Sequence, residues 1–63
     1  MKKYSDLLKD YRTNSHGDVV IDECVFIETL YKILREYNVS LNMFVFDKDR
    51  EYTILCDFLP LDE

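Results

Sequence analysis

Apolar and polar positions along this chain follow two periods, helical in the first half and strand-like in the second. Tyr4, Leu7, Leu8 and Tyr11 fall at i, i+3, i+4 and i+7, with Lys3, Asp6, Lys9 and Asp10 on the other face. This spacing predicts a short helix over 3–12, ended by the turn-forming run Thr13-Asn14-Ser15-His16-Gly17. A second stripe, Val20, Cys24, Ile27, Leu30 or Tyr31, Leu34 and Tyr37, predicts a helix over 23–37. Glu28 four residues before Lys32 supports it, and Asn38 closes it. Val19-Val20-Ile21 suits either period. The expectation is that these residues open one long helix capped by Asp18, because three residues make a poor strand. The alternative is a short strand at 18–22, with Asp22 capping the helix. Acids at 18, 22 and 23 favour a helix N-terminus in either case.

Residues 40–47 and 50–59 alternate and are rich in strand formers, and Asp47-Lys48-Asp49-Arg50 divides them, which predicts a β-hairpin. Pro60 ends the second strand. Without Asn-Gly or Asp-Gly in the loop, two registers stay open. A two-residue Lys48-Asp49 loop sets Leu41, Met43 and Val45 on the face of Tyr52, Ile54, Cys56 and Phe58, and leaves Phe44, Phe46 and Leu55 on the other. A three-residue loop brings Phe44 and Phe46 onto the Tyr52 face. The expected fold class is α+β, a single domain over 1–63 with two helices packed on a C-terminal antiparallel hairpin. Two strands alone are marginal, so a third strand at 18–22 or pairing between copies would help.

Composition narrows the functional classes. At 63 residues, beginning with Met, the chain is read as a whole small protein whose core leaves little room for a deep catalytic cleft. A hydrophobic fraction of 48% with nine aromatics argues for a folded chain. Ala is absent, and Gly and Pro occur once each, which points to an AT-rich genome such as that of a low-GC bacterium or its phage. Cys24 and Cys56 sit among apolar neighbours and are read as reduced core thiols. With no secretory signal and no membrane-length apolar run, the expected compartment is the cytoplasm.

Charge is the most informative global property. The net charge of −5 divides into +2 over 1–17, −3 over 18–38, zero over 39–46 and −4 over 47–63. Direct nucleic-acid binding needs a basic footprint, and this distribution is nearly its opposite. An acidic chain is steered toward basic surfaces instead.

Catalytic and metal chemistry find little to work with. There is one His, no phosphate-binding Gly loop, no nucleophile elbow and no CxxC. Asp47, Asp49 and Glu51 lack the Gly and distal Glu of a calcium loop and read as a solvated turn. His16 beside Gly17 reads as a polar turn residue. The expectation is therefore a protein with no enzymatic activity, no cofactor and no metal. Val25, Phe26 and Ile33 lie off the main helical stripe, so the second helix is either central to the fold or carries a dimer or partner surface. Phe44, Phe46 and Leu55 raise the same question for the hairpin. Covered by the first helix they are core, and uncovered they form an aromatic patch rimmed by Asp47, Asp49, Glu51 and Asp57. The candidate partner-binding residues are thus Phe44, Phe46, Asp47, Asp49, Glu51 and Asp57.

In length, acidity, low Ala and Gly content and absence of enzyme motifs, the chain resembles small phage-encoded anti-host proteins. Anti-CRISPR proteins and restriction or glycosylase inhibitors of the DNA-mimic type belong to that class. The likeness covers the whole chain as composition and carries over no residue. It implies direct binding to a host nuclease, such as a guide-RNA-loaded Cas effector, with carboxylates occupying its nucleic-acid channel. The alternative is a homo-oligomeric structural or adaptor protein that binds another protein through its apolar hairpin face, with a homodimer among the assemblies this allows.

Overall fold

The computed structural model describes residues 1–61. Helix α1 spans Tyr4–Asp10, strand β1 Val19–Asp22, helix α2 Phe26–Glu36, strand β2 Val39–Asp47 and strand β3 Thr53–Pro60. Short 3-10 turns at Glu23–Val25 and Lys48–Arg50 lead into α2 and join β2 to β3. The fold is α+β, with two helices on one face of an antiparallel three-stranded sheet of order β1-β3-β2.

Helix α1 begins where the Lys3 backbone N–H donates to the Asp6 carboxylate at 3.0 Å, holding the acid at the positive end of the helix. It ends as Tyr11 turns extended, and Asn14 organises the loop that follows. The Asn14 side-chain oxygen accepts from the backbone N–H groups of His16 (3.0 Å) and Asp18 (2.9 Å). Gly17 supplies the positive φ of 85° that closes the turn. The chain then doubles back, with Val20 N–H donating to the Arg12 carbonyl at 2.9 Å.

Residues 19–22 form a strand and not the opening of a long helix, which corrects the expectation from the sequence. Val19 and Ile21 are buried opposite Cys56 and Ile54 of β3, while Val20 faces the other way opposite Leu55. Three consecutive β-branched residues lose side-chain freedom in a helix and pack well on a pleated surface. Placing them beside β3 makes β3 the central strand and turns a marginal hairpin into a sheet with a buried face.

That change resets the phase of the second helix. Since 19–25 lie outside α2, Val20 and Cys24 do not define its inner stripe. Ile33 and Tyr37 are buried and Phe26 and Leu30 pack against the core, whereas Cys24, Ile27, Tyr31 and Leu34 are exposed. Cys24 is therefore a surface thiol, contrary to its expected place in the core, while Cys56 is fully buried and free. Burial, with a smaller contribution from the Asp18 charge, pushes the Cys56 thiol up to about 11.

The hairpin turn takes five residues, 48–52, joining the two ends of the Asp47↔Thr53 rung, with Phe46↔Ile54 the next rung inward. The loop is longer than either expected option, but its register has the parity of the three-residue one. Phe44 pairs with Cys56 and Phe46 with Ile54, so both phenylalanines point to the helix side. Asp47 starts the turn by accepting from Asp49 N–H at 3.1 Å. Glu51 and Tyr52 close it with φ of 58° and 60°, a left-handed pair in side-chain-bearing residues. A bulge at Asn42 sets Leu41 opposite Phe58 and Met43 opposite Asp57, so Leu41 also turns inward. The Asn42 amide donates to Asp57 at 2.8 Å.

The core joins Leu7 and Ile33 from the helices to Val19, Ile21, Val39, Ile54, Cys56 and Phe58 from the sheet, with Tyr37 at its edge. Tyr37 Oη donates to the Asp10 carboxylate at 2.6 Å and ties the end of α2 to α1. This bond, helped by Lys2, holds the Asp10 carboxyl below its ordinary range, and burial raises the Tyr37 hydroxyl. A carboxylate whose folded pKa is depressed adds stability above its unfolded value and loses it as pH falls through the folded one. Tyr37→Phe is accordingly expected to lower the urea midpoint by a constant amount near neutral pH. The gap to the parent chain should narrow on acidification. A gap independent of pH would show that the bond does not set Asp10 ionisation.

Candidate functional site

The sheet presents three distinct surfaces. The first is its turn end, where the C-terminus of β1 meets the β2–β3 connection. Glu23 N–H donates to the Tyr52 carbonyl at 2.9 Å and locks the two segments together. Asp22 and Glu23 line one small cleft with Glu51 and Tyr52, and Asp22 shares another with Asp49 and Glu51. The expected acidic residues Asp49 and Glu51 are thus joined by Asp22 and Glu23, which the sequence places at a helix N-terminus, while Asp47 leads into the turn on the far face. Among the described residues, Asp47 pairs with Arg50 at 3.6 Å, and the other four carboxylates at this end carry no ion pair. Phe46 lies beside them with its ring 6.2 Å from that of Tyr52.

The second surface is the sheet face turned away from the helices. Val20, Leu55 and Val45 align across the three strands, with Met43 and Leu59 beside them. Asp57 stands on this face, held by Asn42. The cleft shared by Asp22, Asp49 and Glu51, about 450 Å³, opens onto this face between the Arg12–Asn14 segment and the 49–51 turn, with Arg12, Arg50, Val20 and Thr53 also lining it. The Thr53 hydroxyl is buried there with no hydrogen-bond partner among the described residues.

The third surface is the outer edge of β2. Phe44 packs on Phe26 of α2 with ring centroids 5.3 Å apart, but half of it remains exposed. Helix α1 flanks α2 on its Thr29, Lys32 and Glu36 side, as the clefts they share with Asp10 and Tyr11 show. Helical geometry then puts Ile27, Tyr31 and Leu34 on the opposite flank, above the β2 edge.

The six candidate residues therefore do not form one patch. Phe44 and Phe46 share the helix side at the sheet edge, Asp47 and Asp57 lie on the far face, and Asp49 and Glu51 occupy the turn. The turn end alone brings an expected aromatic, Phe46, together with expected carboxylates. The signal for Asp22 and Glu23 was present in the alternation of Val19 to Asp22, because a strand there must end beside the hairpin turn.

Among the described residues, no group of three or more His, Cys, Asp and Glu side chains converges to hold a metal ion, and no helix is long and apolar enough to cross a membrane. Comparison of the chain with protein-family models, curated proteins and solved structures gives no match.

Proposed function

We propose that this protein is a non-catalytic binding protein that inhibits a nucleic-acid enzyme by seating the acidic end of its sheet in that enzyme's basic channel. The observation that carries the reading is the gathering of Asp22, Glu23, Asp49 and Glu51 at one end, where they outnumber Arg12 and Arg50, beside the Phe46–Tyr52 pair. Carboxylates fixed on strand ends and a closed turn offer a basic groove negative charge without the mobility of a tail, which lowers the ordering cost of binding. Two exposed aromatics next to them supply an apolar anchor of the kind that dominates interface energetics. A guide-RNA-loaded Cas nuclease of a bacterial host is a partner of the right chemistry, and a phage origin accords with the codon-linked composition.

The test is capture of partners by the tagged protein, with and without competing double-stranded DNA, followed by binding measurements against salt. The expected partner is a DNA-handling protein released by DNA and by added salt, since screening weakens exposed charge pairing. Phe46→Ala and Tyr52→Ala are each expected to weaken that binding by ~1–2 kcal/mol. A partner indifferent to both DNA and salt would rule out the channel-blocking mechanism and favour the adaptor alternative.

A further inference from the structure

We infer that the β2 edge is the contact surface for a second copy of this chain, pairing β2 with β2 of its twin into a six-stranded sheet. This surface lies beside the acidic end and stops short of Phe46, whose ring stacks toward Tyr52 there. Among the described residues no strand pairs with the outer edge of β2, so the backbone groups along one side of a nine-residue strand have no ladder partner. Natural edges are usually guarded by Lys, Pro or short length. This one carries no charge and no Pro from Val39 to Phe46, and its single bulge at Asn42 leaves Met43–Asp47 in regular register.

Symmetry explains why the helix flank beside it is bare as well. Antiparallel pairing about a two-fold axis perpendicular to the sheet sets residues of the same face opposite each other. Both α2 helices then lie on one side of the joint sheet, and their Ile27, Tyr31 and Leu34 flanks face each other over Phe44 of both copies. A single operation covers the open edge and the unpartnered flank together. Charge points to the same occupant. Two chains of net −5 repel, so contact between copies costs least where each is uncharged, and 39–46 is the neutral stretch of the chain. Area agrees too. Ile27, Tyr31, Leu34, Phe44 and Val45 each leave between 37 and 66% of their surface free, together at most on the order of 500 Å² per copy. With the strand backbone added, this approaches the ~800 Å² per partner of a standard interface.

Sedimentation of the full chain tests the inference. The expected species at low micromolar concentration has twice the 7.6 kDa chain mass and persists in high salt, which screens the repulsion between like-charged copies. Val45→Lys on the strand and Tyr31→Glu on the helix are each expected to shift the dimer to monomer while circular dichroism stays unchanged. An equimolar mixture of Val45→Lys and Val45→Glu chains should recover the dimer, because opposite charges then meet across the axis. A monomer at all concentrations, or a dimer untouched by both substitutions, would overturn the proposal.

Discussion

Replacing Asp49 and Glu51 together by Lys is expected to abolish partner binding, by about 100-fold or more in affinity, while leaving the fold as it is. Both side chains are exposed in the 48–52 turn and neither makes a side-chain hydrogen bond or ion pair among the described residues. Substitutions at such positions ordinarily change stability by less than ~0.5 kcal/mol. Asp47 is left alone because it does structural work, accepting from Asp49 N–H and pairing with Arg50. Reversal introduces repulsion against a basic channel as well as removing attraction, and disrupting close charge pairs at interfaces costs ~2–5 kcal/mol. Calorimetric titration of the captured partner, with a melting curve of the double variant as control, checks both halves. Unchanged affinity would place the contact elsewhere on the surface and end the acidic-channel reading.

The sequence made the helix–turn–hairpin order legible because each signal was local. The Tyr4, Leu7, Leu8, Tyr11 stripe, the Asn14–Gly17 breaker and the alternation after residue 40 reported on neighbours a few residues apart. Val19–Asp22 depended on a partner more than thirty residues away, Ile54 and Cys56, which local propensity does not reveal. The consequence spread along the chain. Counting the helical stripe from Val20 selected Ile27 and Leu34 as inner positions along with Tyr37, whereas a start at Phe26 keeps Leu30 and Tyr37 and puts Ile33 inside in place of the other two. The same distant pairing decided the site. Asp22 and Glu23 reach the hairpin turn only because β1 runs beside β3, and Phe44 separates from Asp57 because register and the Asn42 bulge fix their faces. The acidity of the turn itself was visible from the start, since Asp47, Asp49 and Glu51 are adjacent in sequence and the turn exposes them.

The phase of α2 carries the largest expected effect on stability. Ile33 is fully buried against the sheet, and truncation to Ala removes its packing and leaves a cavity, a change that typically costs ~2–5 kcal/mol. A single core in so short a chain supplies only ~3–5 kcal/mol. Ile33→Ala is therefore expected to leave most molecules unfolded at room temperature, with loss of the far-ultraviolet helix signal. Ile27→Ala makes the same chemical change on the same helix, six residues earlier, and is expected to cost less than ~0.5 kcal/mol, since that side chain is largely exposed and Ala favours the helix. The comparison belongs on a Tyr31→Glu background, where pairing between copies does not add to the apparent stability of either variant. If both substitutions unfold the chain alike, Ile27 is a core residue and the helix is rotated from the arrangement described above. If only Ile33→Ala does so, the free flank of α2 is a surface the fold itself does not need, available to a partner or a second copy.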